Sequence, residues 1–128
     1  MVGRVASILL LVYWLGLATS THVPGYVLRH AKFNDKVAHF TGYFGLAFLA
    51  CFAWATHRPF HWRTAFALWG AILVYGAIDE LLQIPVPGRT GEVADWIADA
   101  FGALLGILFF SLVLGVVRRF RRRGMSMR

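Results

Sequence analysis

The segment ALWGAILVYGAIDELLQIPVPGRTGEVADWIADAFGALLGILFF, residues 67–110, contains two apolar runs separated by a short polar turn. Pro85 and Pro87 in this turn prevent the first run from continuing as a helix, and Gly88 favours a tight reversal. Apolar runs of about 20 residues are long enough to cross a bilayer as helices. The segment therefore predicts two neighbouring, antiparallel membrane-spanning helices.

The rest of the chain has the same apolar character. Of its 128 residues, 59% are hydrophobic and 15% are charged, whereas a soluble domain carries about 25% charged residues. Lipid forces the backbone of such runs to form its hydrogen bonds within a helix. We therefore predict an all-α polytopic membrane protein, a bundle of four transmembrane helices in a single domain over residues 1–128. The predicted helices cover about residues 5–19, 37–56, 64–84 and 93–117.

The first run has two interpretations. Arg4, an apolar core and the small residues Ala18–Ser20 resemble a secretory signal with a cleavage site. Trp14 inside the core and the three runs that follow favour a retained helix instead. Because this run is short, the residues that follow it, Ser20–Val23, must help it to cross the bilayer.

Positive charge predicts the orientation. With an even number of spans both termini share one side, and cytoplasmic loops carry an excess of Lys and Arg. All the acids fall on the other side, together with Arg29, Lys32, Lys36 and Arg89. We therefore predict that both termini are cytoplasmic. The cytoplasmic side then holds no acid and these cations: Arg4, Arg58, Arg63, Arg118, Arg119, Arg121, Arg122, Arg123 and Arg128.

Residues 118–128 form a predicted basic cytoplasmic tail. Because this tail directly follows a spanning helix, anionic membrane lipids are its expected partner and nucleic acid is not. A topology anchor without a specific ligand is the simpler interpretation. The single cysteine, Cys51, lies inside the second run and has no cysteine partner. No motif predicts a cofactor or a metal centre of established spacing, so we assign neither.

The second helix begins with a polar face. Asp35, His39 and Tyr43 recur at intervals of four residues and so lie along one side of the helix. Asp35 suits the first turn, where a carboxylate meets the positive end of the helix dipole. It could accept a hydrogen bond from His39. The alternative is a helix cap beside a histidine whose hydrogen bonds are satisfied.

The third helix ends with Asp79, Glu80 and Gln83, which can face a common patch. Two adjacent carboxylates at a helix C-terminus repel each other and oppose the dipole. A capping role does not explain them, and the partners that we consider for them are Arg89, Lys36 and His39. We favour a binding role over a purely structural salt bridge.

The fourth helix begins with an acidic stripe, Glu92, Asp95 and Asp99. Glu92 and Asp95 suit a helix N-terminus, whereas Asp99 lies deeper and needs a partner. Arg89 in the preceding turn can hold a carboxylate or a phosphate through two parallel hydrogen bonds. Further along, Gly102 and Gly106 form a small-xxx-small pattern, which predicts close packing against another helix.

These motifs resemble those of the VanZ-like membrane proteins, whose pattern is D-K-x-x-H-x-x-x-Y, E-x-x-Q, P-x-R, then D, D and N before G-x-x-x-G. The resemblance covers about residues 35–106. Asp99 is a departure, because the family usually has Asn there and an acid could instead favour a cation or a proton. The matching residues are Asp35, Lys36, His39, Tyr43, Glu80, Gln83, Pro87, Arg89, Glu92, Asp95, Gly102 and Gly106.

The resemblance implies a context more than an activity. The family takes its name from a member associated with resistance to the glycopeptide antibiotic teicoplanin, and its members have no settled biochemical activity. It implies a bacterial cytoplasmic (inner) membrane. In the predicted topology the polar residues would face the compartment in which cell-wall precursors are displayed.

Three functions follow as hypotheses. The first is binding of an envelope lipid or a lipid-linked cell-wall precursor, with an influence on glycopeptide tolerance. The second is an intramembrane hydrolase or transferase, with His39 as acid or base and neighbouring acids holding a cation. The third is an ion-pair scaffold, in which exchanging Arg89 and Glu80 should restore function. Homo-oligomerisation through the glycines stays open. The predicted ligand-binding residues are Asp35, Lys36, His39, Tyr43, Glu80, Gln83, Arg89, Glu92, Asp95 and Asp99.

Overall fold

A computed structural model describes residues 1–29 and 34–126, and within these ranges all regular structure is helical. Lys32 and Arg128, which contribute to the charge argument, lie outside the described residues. The helices are α1 (Val2–Thr21), α2 (Gly25–Arg29), α3 (Asp35–His57), α4 (Trp62–Gln83) and α5 (Val93–Ser126).

Four of these helices are long and apolar enough to cross a membrane, namely α1, α3, α4 and the Val93–Arg123 part of α5. This confirms the predicted all-α architecture. Large apolar side chains such as Ile8, Val74 and Phe101 are exposed along the bundle. In water such a surface would drive aggregation, whereas in lipid it is the expected outer face of a membrane protein.

Several helix ends extend beyond the predicted apolar runs, whereas α4 ends at Gln83, one residue before its predicted end. α1 begins at Val2 and α5 continues past Val117 through the arginines. Arginine is a good helix former, and its charge is favourable near a helix C-terminus, so hydropathy falls before the helix ends. The single turn of α2 was not predicted.

The connection between α4 and α5 forms two successive turns. The backbone N–H of Val86 donates to the Gln83 carbonyl at 2.9 Å, and that of Arg89 donates to the Val86 carbonyl at 3.0 Å. Gly88 has a φ of 75°, which a residue with a side chain rarely adopts. The N–H of Gly25, at the start of α2, donates to the Pro87 carbonyl at 3.0 Å, so the α1–α3 connection is tied to this turn.

The most extensive helix contact joins α3 and α5. A Cβ atom at Gly102 would collide with the Phe40 carbonyl oxygen, and one at Gly106 with that of Phe44. The two glycines therefore allow the backbones to approach closely. Around them lies the core, which includes Tyr43, Leu46, Ala47, Cys51, Ala103, Ile107 and Phe110.

Candidate functional site

The ends of α1 and α4 meet the starts of α3 and α5 and the α4–α5 turn at one end of the bundle, here called the polar end. All six acidic residues of the chain lie on these elements. Every predicted ligand-binding residue lies there as well. The arrangement depends on the antiparallel order of the helices, which brings segments more than fifty positions apart into contact.

His39 lies at the centre of this end, between two acids. Its Nδ1 is 3.0 Å from Asp99 Oδ1 and 3.6 Å from Glu80 Oε1. All three residues are buried, with 3%, 2% and 7% of the surface of His39, Asp99 and Glu80 exposed. The hydrogen bond from His39 to Asp35 that the sequence allows does not form, because His39 Nδ1 faces Asp99 on α5 instead.

Glu80 also has a capping role, so the expectation that capping does not explain the α4 acids is wrong for this residue. Its Oε2 accepts a hydrogen bond of 3.0 Å from the backbone N–H of Glu92, the residue before α5. Glu80 opposes the dipole of its own helix but satisfies a free N–H group at the start of the next one. Its other oxygen, Oε1, has no hydrogen-bond partner among the described residues.

Asp79 is held by neutral donors. Its carboxylate accepts hydrogen bonds from Thr21 Oγ1 at 3.1 Å, Tyr43 OH at 3.3 Å and Gln83 Nε2 at 3.3 Å. Only 2% of Asp79 is exposed, and His22 Nδ1 lies 3.8 Å away. Tyr43 and Gln83 therefore fix a second carboxylate beside the His39 group.

Asp79 and Thr21 were absent from the predicted ligand-binding residues. Asp79 had a signal, because it is an acid a turn inside an apolar run, although it falls outside the E-x-x-Q motif. Thr21 had none, since hydroxyl residues are common where helices end.

Arg89 and Lys36 pair with other acids. Arg89 Nη1 donates to both oxygens of Asp35, at 3.0 and 2.9 Å, and its Nε donates to the Val23 carbonyl at 3.3 Å. Lys36 Nζ lies 3.1 Å from Glu92 Oε2 and 3.2 Å from Asp95 Oδ1. Of the partners considered for the α4 carboxylates, His39 is the one that contacts Glu80, and Arg89 and Lys36 are engaged elsewhere.

Two tryptophans fix α4 against α5 beside these residues. Trp96 Nε1 donates to the Leu73 carbonyl at 3.0 Å, and Trp69 Nε1 donates to the Ala100 carbonyl at 3.2 Å. A helix carbonyl keeps a second lone pair after its own helix hydrogen bond, but no sequence pattern indicates which carbonyl will accept from a side chain of another helix. These hydrogen bonds hold the carboxylates of α4 and α5 in register.

A family model described as VanZ/LLP1 matches residues 5–114. The chain belongs to the VanZ/LLP1 family. The match begins inside α1 and ends inside α5, so it includes the whole polar end. No curated protein and no solved structure matched the chain.

The polar end of this VanZ/LLP1 protein encloses a cavity of about 540 Å³. Its wall combines apolar groups of Leu17 and Ala38 with the polar side chains of Asp35, His39 and Arg89. Asp35 is half exposed, so the cavity communicates with the surroundings, whereas His39 forms its buried part.

Two sets of side chains in this VanZ/LLP1 protein have donor atoms within 4.8 Å of one another, close enough to share a cation. One set is Asp35, His39 and Asp95, and the other is His39, Glu80 and Asp99. In the first set both carboxylates already have a cationic partner, Arg89 or Lys36. In the second set, among the described residues, the only basic partner is His39.

Proposed function

We propose that this protein binds the headgroup of an envelope lipid, or of a lipid-linked cell-wall precursor, in the cavity at the polar end. The single observation that carries the proposal is the composition of that cavity. A lipid headgroup needs polar and charged partners, and the first part of the lipid's hydrocarbon chain needs apolar surface beside them. The cavity wall supplies both.

Arg89 is the residue that we assign to a phosphate. Its side chain is 8% exposed and is oriented by Asp35 and by the Val23 carbonyl. These bonds engage Nη1 and Nε, whereas Nη2 has only a 3.5 Å contact with the Ser20 carbonyl. A guanidinium held in this way has little rotamer freedom left to lose when it binds a phosphate oxygen.

The location is part of the proposal. The arginines at the opposite end of the bundle favour a cytoplasmic position for both termini, in a bacterial cytoplasmic membrane. The cavity would then open at the outer leaflet, at headgroup depth. Binding there would influence tolerance of glycopeptide antibiotics, which act on precursors at that surface.

Native mass spectrometry tests the binding proposal. Purified protein is titrated with undecaprenyl phosphate and, separately, with phosphatidylglycerol. Removing one partner of a buried charge pair costs about 2–5 kcal/mol. In the complex the pair would be the Arg89 guanidinium and the lipid phosphate, so Arg89→Gln should weaken binding tenfold or more. The matched control is Arg119→Gln, an exposed arginine of α5 at the other end. Equal binding by both variants, or no binding by wild type, contradicts the proposal.

The same titration separates the two ligand classes. Preference for undecaprenyl phosphate over phosphatidylglycerol supports a lipid-linked precursor, and equal affinity supports a general phospholipid site. In cells, expression of wild type but not of Arg89→Gln should then change the inhibitory concentration of teicoplanin.

The His39–Asp99 pair favours a second candidate, an intramembrane hydrolase or transferase. With Asp99 ionised, its carboxylate can only accept, so Nδ1 carries the proton and Nε2 is free to act as a base. His39 also lines the cavity. Turnover of a phosphoryl- or acyl-bearing lipid by wild type, lost in His39→Gln, would support this candidate. Lipid binding without turnover would contradict it.

A further inference from the structure

We propose that His39, Glu80 and Asp99 form a binding site for one divalent cation of the manganese–zinc class. The site would use one imidazole nitrogen and one oxygen from each carboxylate. It goes beyond the lipid proposal and does not require that any lipid be bound.

Glu80 and Asp99 are two buried carboxylates facing a single imidazole. With both carboxylates ionised, even a protonated His39 leaves one negative charge in excess, and buried charges in proteins are normally paired or coordinate a metal. Each of the other acids near His39 has a different partner: Asp35 pairs with Arg89, and Asp95 pairs with Lys36.

One oxygen in this group is buried without a partner. Glu80 Oε1 has no hydrogen bond among the described residues, and only 7% of Glu80 is exposed. The other oxygen of the same carboxylate accepts from the Glu92 N–H, and Oε1 lies 3.6 Å from His39 Nδ1. Buried polar atoms are almost always satisfied, so Glu80 Oε1 is an acceptor that a bound cation would use.

The spacing of the donor atoms also suits a cation. A cation with bonds of about 2.0–2.2 Å holds neighbouring ligand atoms about 3.0–3.5 Å apart. The separations of 3.0 Å and 3.6 Å from His39 Nδ1 to its two carboxylate neighbours fit this range with small side-chain shifts. One nitrogen and two oxygen donors suit Mn²⁺ or Zn²⁺, whereas a site for Mg²⁺ or Ca²⁺ would use oxygen alone.

The cation would take the place of the proton on His39 Nδ1. In a neutral imidazole that proton would move to Nε2, and an imidazolium would already carry a proton there and would release the Nδ1 proton to solvent. The ion can enter through the cavity, because His39 forms part of its wall. Asp99 supplies the second carboxylate of the site. An asparagine at this position would supply a neutral oxygen in its place.

The test uses the full chain in detergent, stripped of metal and titrated with Mn²⁺ alone. Wild type should bind one ion per chain, and Glu80→Gln combined with Asp99→Asn should weaken binding by at least about tenfold. The matched control is Glu92→Gln, which removes a half-exposed carboxylate of the same end and should bind as wild type does. Both changed side chains of the double variant keep an oxygen for their existing hydrogen bonds.

Pulsed electron paramagnetic resonance of the Mn²⁺-loaded wild type gives a readout that does not depend on a variant folding. A coupling to one imidazole nitrogen is expected, and it should disappear in His39→Gln but persist in His22→Gln. The proposal is overturned if folded wild type takes up neither Mn²⁺ nor Zn²⁺ stoichiometrically. It is equally overturned if no nitrogen coupling is seen, or if the double variant binds as tightly as wild type.

Discussion

The carboxylates at the polar end differ in what holds them, and this difference separates their roles. Asp35 and Asp95 contact a cation, and Asp79 is surrounded by hydroxyl and amide donors. Glu80 and Asp99 have the imidazole of His39. An ion-pair scaffold explains Asp35 and Asp95. It does not explain Glu80 and Asp99, which we assign to a cation.

Sequence spacing predicted which residues share this end but not which atoms meet. The four-residue interval places Asp35, His39 and Tyr43 on one face, yet the rotation of α3 directs each toward a different partner. The rotation of α3 depends on the helix that it packs against. The glycine pattern at Gly102 predicts a close contact but does not say that α3 is the partner. An exchange of charges that tests the scaffold hypothesis should therefore pair Arg89 with Asp35, not with Glu80.

Asp79 gives a stability prediction at the residue scale. Asp79→Ala removes the acceptor shared by Thr21, Tyr43 and Gln83. Each buried donor left unsatisfied costs about 1–3 kcal/mol. We therefore expect the free energy of unfolding to fall by at least about 2 kcal/mol. The measurement is unfolding in detergent, followed by tryptophan fluorescence.

The control for this prediction is Glu92→Gln. Glu92 forms a half-exposed ion pair with Lys36, and such pairs contribute about 0–1 kcal/mol. If Asp79→Ala unfolds under the same conditions as Glu92→Gln, the hydrogen bonds to Asp79 do not stabilise the fold.

At the scale of whole helices, long apolar runs predicted the number and type of the spanning elements. The ends were less predictable, because Asp35 and the arginines after Val117 are charged residues that still belong to helices. Hydropathy reports the part of a helix that lies in lipid, whereas the hydrogen-bonded helix continues into the interface. The short α2 has no periodic pattern and depends on contacts such as the Gly25–Pro87 hydrogen bond.

The α3–α5 contact gives a prediction about packing. Gly102→Ala would place a methyl group against the Phe40 carbonyl oxygen, which is backbone and cannot turn away. Overpacking of this kind costs about 1–3 kcal/mol, and a separation of α3 from α5 would also move His39 away from Asp99. Thermal unfolding in detergent measures the first effect, and loss of Mn²⁺ binding would report the second.

Gly115 supplies the matched control, since a Cβ there would meet nothing within 4 Å. Gly115→Ala improves helix propensity by up to about 1 kcal/mol and should not lower stability. If Gly102→Ala were as stable as Gly115→Ala, the inference that the α3 and α5 backbones approach closely at Gly102 would be wrong.

For the whole molecule, the separation of charge between the two ends is the property that connects fold and function. Every acid lies at the polar end, whereas the described residues of the opposite end carry arginine and no acid. Because Lys and Arg are enriched on the cytoplasmic side of membrane proteins, this charge separation favours the proposed orientation. In that orientation the cavity and the proposed cation site would face outward, away from cytoplasmic metabolites and toward the displayed lipids.

Cysteine labelling tests this orientation directly. Cys51 is fully buried, and Cys51→Ala provides a background without a thiol. In that background, Thr90→Cys places a thiol in the exposed α4–α5 turn, and Arg119→Cys places one on α5 at the opposite end. A membrane-impermeant maleimide added to intact spheroplasts should label residue 90, and residue 119 should react only after permeabilisation. The reverse result would put the cavity in the cytoplasm, where displayed precursors cannot reach it, and would remove the basis for the proposed ligand.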